Sequence, residues 1–310
     1  MPPETRQELL SPQSPALLVD SAERRALLPG LFELTKPRLS FLSVVTTLVG
    51  YLAARPERDG WLLLHLLCGT ALAAGGAASL NQWMERSTDA LMRRTKDRPI
   101  PSGQVTPAQA FAWGVAISVL GVAQLAATAG GLAAALAAAT IVSYLLIYTP
   151  LKRRTRWATE AGAVSGALPP LIGWAAARGT IDGLGWTLFA LLFFWQIPHF
   201  LAIAWTYRRD YEAADFPMLP VVDADGASTA RWSLINTVIL AAATIAPALL
   251  GQTGWLFGAA AVVLGGLFIV FAAAMLRSDE RNSAARRLFF YSIFYLPALL
   301  AILVIDRWLA

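Results

Sequence analysis

Charged residues are scarce in this chain. They make up 15% of its 310 residues, and 56% are hydrophobic, whereas a soluble domain carries about 25% charged residues. An ordinary soluble domain is therefore excluded. The single cysteine, Cys68, excludes an intrachain disulfide. The chain also lacks the Walker A, Gly-x-Ser-x-Gly and His-Glu-x-x-His patterns that mark nucleotide-binding loops, serine hydrolases and zinc peptidases.

Long apolar runs fill most of the sequence, and short charged loops separate them. A membrane span needs about 20 apolar residues, and the runs are rich in Ala and Gly, which allow close contact between membrane helices. We therefore expect an all-α polytopic membrane bundle of nine transmembrane helices around a central cavity. The predicted spans are 38–54, 61–82, 107–128, 131–149, 158–177, 184–206, 230–251, 254–276 and 286–308.

Basic residues are distributed unequally between the two sides of such a bundle. The N-terminal tail and the loops 83–106, 150–157, 207–229 and 277–285, with their flanks, fall on one side and hold 21 of the 25 Lys and Arg. The excess predicts that this side is cytoplasmic, with the N-terminus, and that the C-terminus is external. Membrane topology thus accounts for the basic charge, and nothing indicates nucleic-acid binding.

The expected organisation is a mobile cytoplasmic tail, residues 1–35, followed by a single transmembrane domain, residues 36–310. The tail is expected to end in a short interfacial helix near 27–34. Spans two and six both run into an acidic loop that ends in a proline-containing string. This similarity indicates an internal four-helix pseudo-repeat, with the two acidic loops facing each other across the cavity.

The first acidic loop begins on a helix. Asn81, Glu85 and Asp89 are spaced four residues apart, so they fall near one helix face. Arg94, Arg98 and other basic residues follow at once. Carboxylate and amide oxygens suit Mg²⁺, and the cation together with the basic residues suits a diphosphate. The alternative is a solvated helix end with a mixed-charge loop.

Two further loops share the same membrane face. Asp210 stands at the end of span six and is a second candidate metal ligand. Asp215 follows five residues later and would not share a helix face with Asp210. The alternative is an acidic loop that balances neighbouring arginines. After Tyr148, Lys152 and Arg153 begin a basic run that fits phosphate binding, or one that only sets the membrane orientation.

His199 follows Pro198 inside span six, in the string Trp-Gln-Ile-Pro-His-Phe. It is a candidate for substrate contact, for acid–base chemistry or for metal ligation. The alternative is a hydrogen-bonded packing residue.

Four ordered strings resemble the intramembrane aromatic prenyltransferases, and specifically their protohaem IX farnesyltransferase branch. The strings start at Asn81, Tyr148, Gly166 and Trp195, and the last is followed by Asp210-Tyr and by Pro-Met-Leu-Pro. The chain departs from the pattern at Asp215, where the family leads us to expect glycine.

The resemblance implies an enzyme that transfers the farnesyl group of farnesyl diphosphate to a vinyl group of haem b, with addition of water, to give haem O and diphosphate. It implies Mg²⁺ as cofactor, held by Asn81, Glu85, Asp89 and Asp210. It also implies a place in the bacterial inner membrane and a haem A synthase or oxidase assembly factor as a partner. Substrate contacts are expected from Arg94, Arg98, Tyr148, Lys152, Arg153 and His199.

Three other functions compete with this prediction. A prenyltransferase that acts on a quinone or chlorin precursor would share the first acidic motif, but not the later strings. A transporter would place its ionisable groups near the middle of the bilayer rather than at one face. A structural assembly factor would tolerate the loss of Asp89.

Overall fold

The computed structural model describes residues 27–57, 59–92, 95–213 and 215–309. Within these ranges the regular structure is entirely helical, as predicted. The elements are α1 (27–34), α2 (Pro37–Ala53), α3 (Gly60–Asp89), α4 (Pro107–Thr128), α5 (Gly131–Val142), a π-helix (Ser143–Tyr148), α6 (Thr149–Leu151), α7 (Ala158–Ala167), α8 (Pro169–Arg178), α9 (Gly183–Thr206), α10 (Arg208–Glu212), α11 (Leu219–Val222), α12 (Ala227–Leu249), α13 (Trp255–Ala274) and α14 (Arg281–Leu309).

Each of the nine predicted spans coincides with helix. By length and composition, seven helical stretches of the described chain qualify as membrane spans: α3, α4, α5 continued through the π-helix and α6, α9, α12, α13 and α14. The other two predicted spans are α2, an apolar helix of 17 residues, and the pair α7 and α8, with 10 residues each. The protein is thus a multi-pass helical membrane protein, and the count of nine spans stays a prediction.

The interruption between α7 and α8 has a local cause and a packing consequence. Pro169 and Pro170 have no N–H to donate, so they start a helix more readily than they continue one. The hydroxyl of Thr47 in α2 donates a hydrogen bond of 3.0 Å to the carbonyl oxygen of Pro169. A Cβ atom on Gly50 would clash with the carbonyl of Pro170, and one on Gly173 with that of Thr47. Helices α2 and α8 therefore pack backbone to backbone.

Side-chain caps fix where several helices begin. The Asp59 carboxylate accepts a hydrogen bond from the third residue of α3, and Asp182 caps α9 in the same way. Thr106 and Gln109 form a reciprocal capping box at the start of α4. These caps mark the boundaries between the loops and the apolar segments.

Helix α1 packs on the loop between α3 and α4. Its last residue, Leu34, is buried against Ile100, Val105 and Ala110, and its carbonyl accepts a hydrogen bond of 2.9 Å from Gln82. The predicted short helix near 27–34 is thus present. Residues 1–26, most of the predicted tail, lie outside the described residues, so the domain boundary at residue 35 stays a prediction.

The helices form two main hydrophobic cores. One lies mostly among α9, α12, α13 and α14, and the other among α2, α3, α4, α5 and α8. A cavity lined by residues of α2, α3, α5, α7, α8 and α9 lies inside the bundle. The four-helix repeat stays a prediction.

Candidate active site

The last three turns of α3 carry the first acidic motif into the interior. Asn81, Glu85 and Asp89 are 2%, 7% and 1% exposed. All three lie within α3, which runs to Asp89, so the spacing of four residues does place them near one helix face. Two buried carboxylates are costly unless cationic groups compensate them.

Two lysines from other elements hold the first two members of the motif. Lys36, just before α2, donates a hydrogen bond of 3.0 Å from Nζ to Asn81 Oδ1. The Asn81 amide nitrogen in turn donates to Thr149 Oγ1 at 3.1 Å. Lys152, just after α6, forms an ion pair of 3.2 Å with Glu85 Oε1. The motif is therefore assembled from three separate parts of the chain.

Asp89 is only half satisfied. Its Oδ2 pairs with Arg98 Nη1 at 2.6 Å, and its backbone carbonyl accepts a hydrogen bond of 2.8 Å from the Thr95 hydroxyl. Its other carboxylate oxygen, Oδ1, is buried and has no hydrogen-bond partner among the described residues. A buried, unpaired carboxylate oxygen is unfavourable, and a cation bound there would relieve that cost.

The donor set fits a hard cation such as Mg²⁺. Asn81, Glu85 and Asp89 offer amide and carboxylate oxygens, and no described residue competes for Asp89 Oδ1. Within the described residues, no three Asp, Glu, His or Cys side chains converge into a complete metal cage. Mg²⁺ does not require one, because it usually binds one or two carboxylates and keeps water and substrate phosphates as its other ligands.

Burial and neighbouring charges act differently on the two lysines. Burial, with the nearby Arg98 as the next cause, lowers the pKa of Lys36 to about 8. Burial also acts to lower the pKa of Lys152, but the effects of Tyr148 and Glu85 are larger together, so the pKa of Lys152 is raised overall. Lys152 thus stays charged at neutral pH, and an anion beside Lys36 would favour its charged form as well.

Both lysines also line the central cavity, which has a volume of about 380 Å³. Most of the remaining lining is apolar or small, from Leu39 and Ala73 near α2 and α3 to Phe200 in α9. The cavity is therefore cationic at one end and apolar along its length. This shape and charge suit a ligand with an anionic head and a hydrocarbon tail.

A π-helix forms part of the cavity wall. Tyr144 and Tyr148 both line the cavity, and their rings stack with centroids 5.5 Å apart. Gly162 of α7 makes room for Tyr148, because a Cβ atom there would approach the tyrosine ring to 2.9 Å. Such π-turns are frequent at functional sites. The predicted site residue Tyr148 is thus placed at the cavity.

A second close approach positions a polar group in the cavity wall. A Cβ atom on Gly166 would clash with the Gln196 amide. That amide donates hydrogen bonds of 3.1 Å to the carbonyl of Leu192 and 3.4 Å to that of Ala163. The glycine of the third matched string therefore allows α7 and α9 to meet beside the cavity.

Asp210, the second predicted metal ligand, comes from a different element than the first acidic motif. It is exposed in the short helix α10 and lines a different cavity of about 360 Å³. Its neighbour Tyr211 lines the central cavity instead. Asp215 is exposed and has φ +55°, in the left-handed region that favours glycine. This conformation explains why glycine was expected there, and aspartate is among the residues that tolerate it.

The other predicted basic contacts are distributed unevenly. Arg98 reaches Asp89, whereas Arg153 is exposed in the loop after α6. Arg94 lies outside the described residues, so its predicted role has no structural counterpart here.

His199 faces α14. Its Nδ1 lies 2.7 Å from the Ser292 hydroxyl, its ring stacks on Trp195 with centroids 4.7 Å apart, and Phe289 lies 5.2 Å away. These contacts match the packing alternative considered above. The neighbouring residues Gln196 and Phe200 line the central cavity.

Sequence reasoning missed Lys36, Thr149 and Phe216. The ring of Phe216 lies 4.6 Å from the Lys152 ammonium, which is a cation–π contact. Lys36 had one sequence signal, since it is a lysine immediately before a proline at the start of the first predicted span. Its partner Asn81 lies 45 residues further along, and the sequence offers no sign of that pairing.

Known proteins resemble this chain in sequence and in fold. The profile of the UbiA prenyltransferase family matches residues 43–294. A protoheme IX farnesyltransferase of Opitutus terrae is 56% identical over 275 residues, which cover 89% of this chain and 93% of that protein. Its counterpart in Solibacter usitatus is 43% identical over 285 residues, covering 89% and 97%.

Solved structures agree in fold at low sequence identity. A digeranylgeranylglyceryl phosphate synthase matches with a TM-score of 0.78 at 15% identity, covering 90% of this chain and 98% of that one. A UbiA homologue from Archaeoglobus fulgidus bound to GPP and Mg²⁺ matches with a TM-score of 0.61 at 12% identity, covering 88% and 99%.

Proposed function

Because this chain belongs to the UbiA prenyltransferase family, we propose that it transfers the farnesyl group of farnesyl diphosphate to a vinyl group of haem b. Water then adds to the cation formed on the farnesylated haem and a proton is lost, which gives haem O, and diphosphate is released. The main support for the proposal is that a buried cluster of acidic and basic side chains lies at one end of an apolar cavity. The curated relatives that bear the farnesyltransferase name support the choice of substrates.

The cationic end of the cavity holds the diphosphate. Lys36 and Lys152 line the cavity there, and Arg98 forms an ion pair with Asp89 of the acidic motif. Lysine and arginine donors bind phosphate oxygens by charge-assisted hydrogen bonds. When the allylic C1–O bond breaks, these residues balance the charge that develops on the departing oxygen.

Mg²⁺ belongs to the same end of the cavity. We assign Asn81, Glu85 and Asp89 as its ligands because of their oxygen donors and because Asp89 Oδ1 is buried with no partner in the described part of the chain. Asp210 is added on the sequence pattern, although it lines the neighbouring cavity in this structure. The bound cation supplies Lewis-acid stabilisation of the leaving diphosphate. The Mg²⁺ bound to the Archaeoglobus homologue supports a metal-dependent reaction.

The apolar length of the cavity holds the farnesyl chain. Burying each CH₂ group contributes about 0.8 kcal/mol. Tyr144, Tyr148 and Phe200 present aromatic rings to the cavity, and such rings attract an allylic cation. An apolar wall favours capture of the cation by the vinyl group over early capture by water.

The helices make the chain a multi-pass membrane protein. Its orientation and its place in the bacterial inner membrane are part of the proposal. The excess of basic residues supports a cytoplasmic N-terminus and an external C-terminus in the bacterial inner membrane. The diphosphate end of the cavity then faces the cytoplasm. A haem A synthase or an oxidase assembly factor would receive the apolar product.

Acceptor choice is the test of this proposal. Purified protein with Mg²⁺ and farnesyl diphosphate should prenylate haem b, and it should leave a phenolic quinone precursor unchanged. Prenylation of the phenol alone would assign the chain to the other prenyltransferases. Uptake of substrate into proteoliposomes without diphosphate release would instead indicate a transporter.

A further inference from the structure

The second cavity, of about 360 Å³, lies where the ends of α9 and α10 meet the start of α14. Its charged and amide lining consists of Arg208, Arg209, Asp210, Asn282 and Arg286. Three guanidinium groups and one carboxylate leave it with a net charge of +2. The farnesyl-transfer reaction as described above uses none of its arginines.

Two of the three arginines are available to a ligand. Arg208 donates a hydrogen bond of 2.9 Å to the Trp205 carbonyl, and its guanidinium lies 4.4 Å from that tryptophan ring. Arg209 and Arg286 are exposed, and neither pairs with a carboxylate in the described part of the chain. A guanidinium group matches a carboxylate in a bidentate manner, so the cavity suits a ligand with two carboxylates.

The surface beneath the cavity suits a flat apolar body. Phe289 and Phe290 follow Arg286 by about one turn of α14, and Phe290 is 68% exposed. The His199 ring of α9 lies 5.2 Å from Phe289. Exposed Phe290 and the partly buried Phe289 and His199 thus place aromatic rings along the membrane-spanning parts of α9 and α14 next to the basic cavity.

We propose that this cavity binds the two propionate carboxylates of the haem substrate. The inference rests on the proposed function, because it identifies how the acceptor is held. The excess of arginine charge suits two propionates, whether or not Asp210 turns to Mg²⁺, and the aromatic rings match the porphyrin face. The vinyl groups lie on the opposite edge of the porphyrin, so propionates held at the membrane face leave the vinyl edge directed towards the bilayer interior.

Equilibrium binding of haem separates this role from catalysis. Haem b and its dimethyl ester, in which both carboxylates are masked, would be titrated into the purified protein without farnesyl diphosphate or Mg²⁺. We expect Arg286→Gln to weaken binding of haem b by roughly 10- to 100-fold, the size of a lost charge-assisted hydrogen bond. The ester should bind weakly to wild type and should not distinguish the variant.

Arg287→Gln is the matched control, since Arg287 is the next residue in α14 and pairs with Glu280 on the surface. It should bind haem b as wild type does. Arg209→Gln repeats the test from α10, independently of any effect on the folding of α14. Equal losses for haem b and its ester, or no loss in both variants, would overturn the proposal.

Steady-state kinetics distinguish a haem carboxylate from the other anions that arginines bind, namely the diphosphate and lipid headgroups. The proposal expects Arg286→Gln to raise KM for haem b and to leave KM for farnesyl diphosphate unchanged. A rise only in KM for the diphosphate would overturn it in favour of a phosphate site, and a changed dependence on anionic lipid alone would overturn it in favour of a headgroup site. If the wild-type protein binds haem b more tightly than the ester but makes no haem O, the carboxylate site is upheld and farnesyl transfer is refuted.

Discussion

Replacing Asp89 by asparagine tests the proposed metal site with little change of shape. The side chain is 1% exposed, with one oxygen 2.6 Å from Arg98 and the other without a partner in residues 27–57, 59–92, 95–213 and 215–309. Asparagine can still accept a hydrogen bond from Arg98, but it lacks the negative charge that would hold the cation. The variant therefore removes charge and leaves most of the packing intact.

The expected loss is catalytic. Removing one preorganised electrostatic contact to a developing charge typically costs a factor of about 100 to 1,000 in kcat, or about 3–4 kcal/mol. We expect Asp89→Asn to lower kcat by that factor at saturating haem b and farnesyl diphosphate. The Mg²⁺ concentration for half-maximal rate should also rise, since one ligand is weakened.

The assay is diphosphate release in detergent across a Mg²⁺ titration, with thermal unfolding as a check on folding. Asp97→Asn is the matched control, because Asp97 is exposed in the loop that follows Asp89. It should match wild type in kcat and in Mg²⁺ dependence. The reasoning fails if Asp89→Asn, correctly folded, keeps both values as well.

The remaining predictions concern the diphosphate, the cavity wall and the topology. Lys152→Gln should raise KM for farnesyl diphosphate roughly 10-fold or more through loss of a charge-assisted contact. Arg154→Gln, in the loop that follows, should leave that KM unchanged. If both variants have wild-type kinetics, the loop only sets the membrane orientation. Gly166→Ala should destabilise the protein by about 1–3 kcal/mol, because its Cβ atom would clash with the Gln196 amide, and a thermal unfolding midpoint equal to that of wild type would contradict this. A membrane-impermeant thiol reagent on intact cells, in a cysteine-free background, should label Thr180→Cys but not Ser102→Cys, and the reverse pattern would invert the topology.

The acidic motif was predictable because its geometry is local. The spacing of Asn81, Glu85 and Asp89 requires only that one helix continue through them, and α3 does. The helical segments were predictable for the same reason, since apolar composition and length act within each segment. The pair Pro169-Pro170 was visible in the sequence as well, and it explains the interruption of the fifth predicted span.

The partners of the motif were harder to predict because they depend on how distant segments pack. Lys36 and Lys152 lie 45 and 67 residues from the groups they contact, and no periodicity reports such a contact. The sequence likewise gives no sign of the π-helix at Ser143–Tyr148. Asp210 lines a basic cavity in this structure, and its role as a metal ligand stays a prediction.

The measurement that tests the central claim most directly is the mass of the haem product. Purified protein is incubated with haem b, farnesyl diphosphate and Mg²⁺, and the extracted haem is analysed by mass spectrometry. Farnesyl transfer predicts a haem heavier by one farnesyl group and one hydroxyl group, with one diphosphate released for each haem converted. Unchanged haem b from a folded protein that still binds both substrates would contradict it.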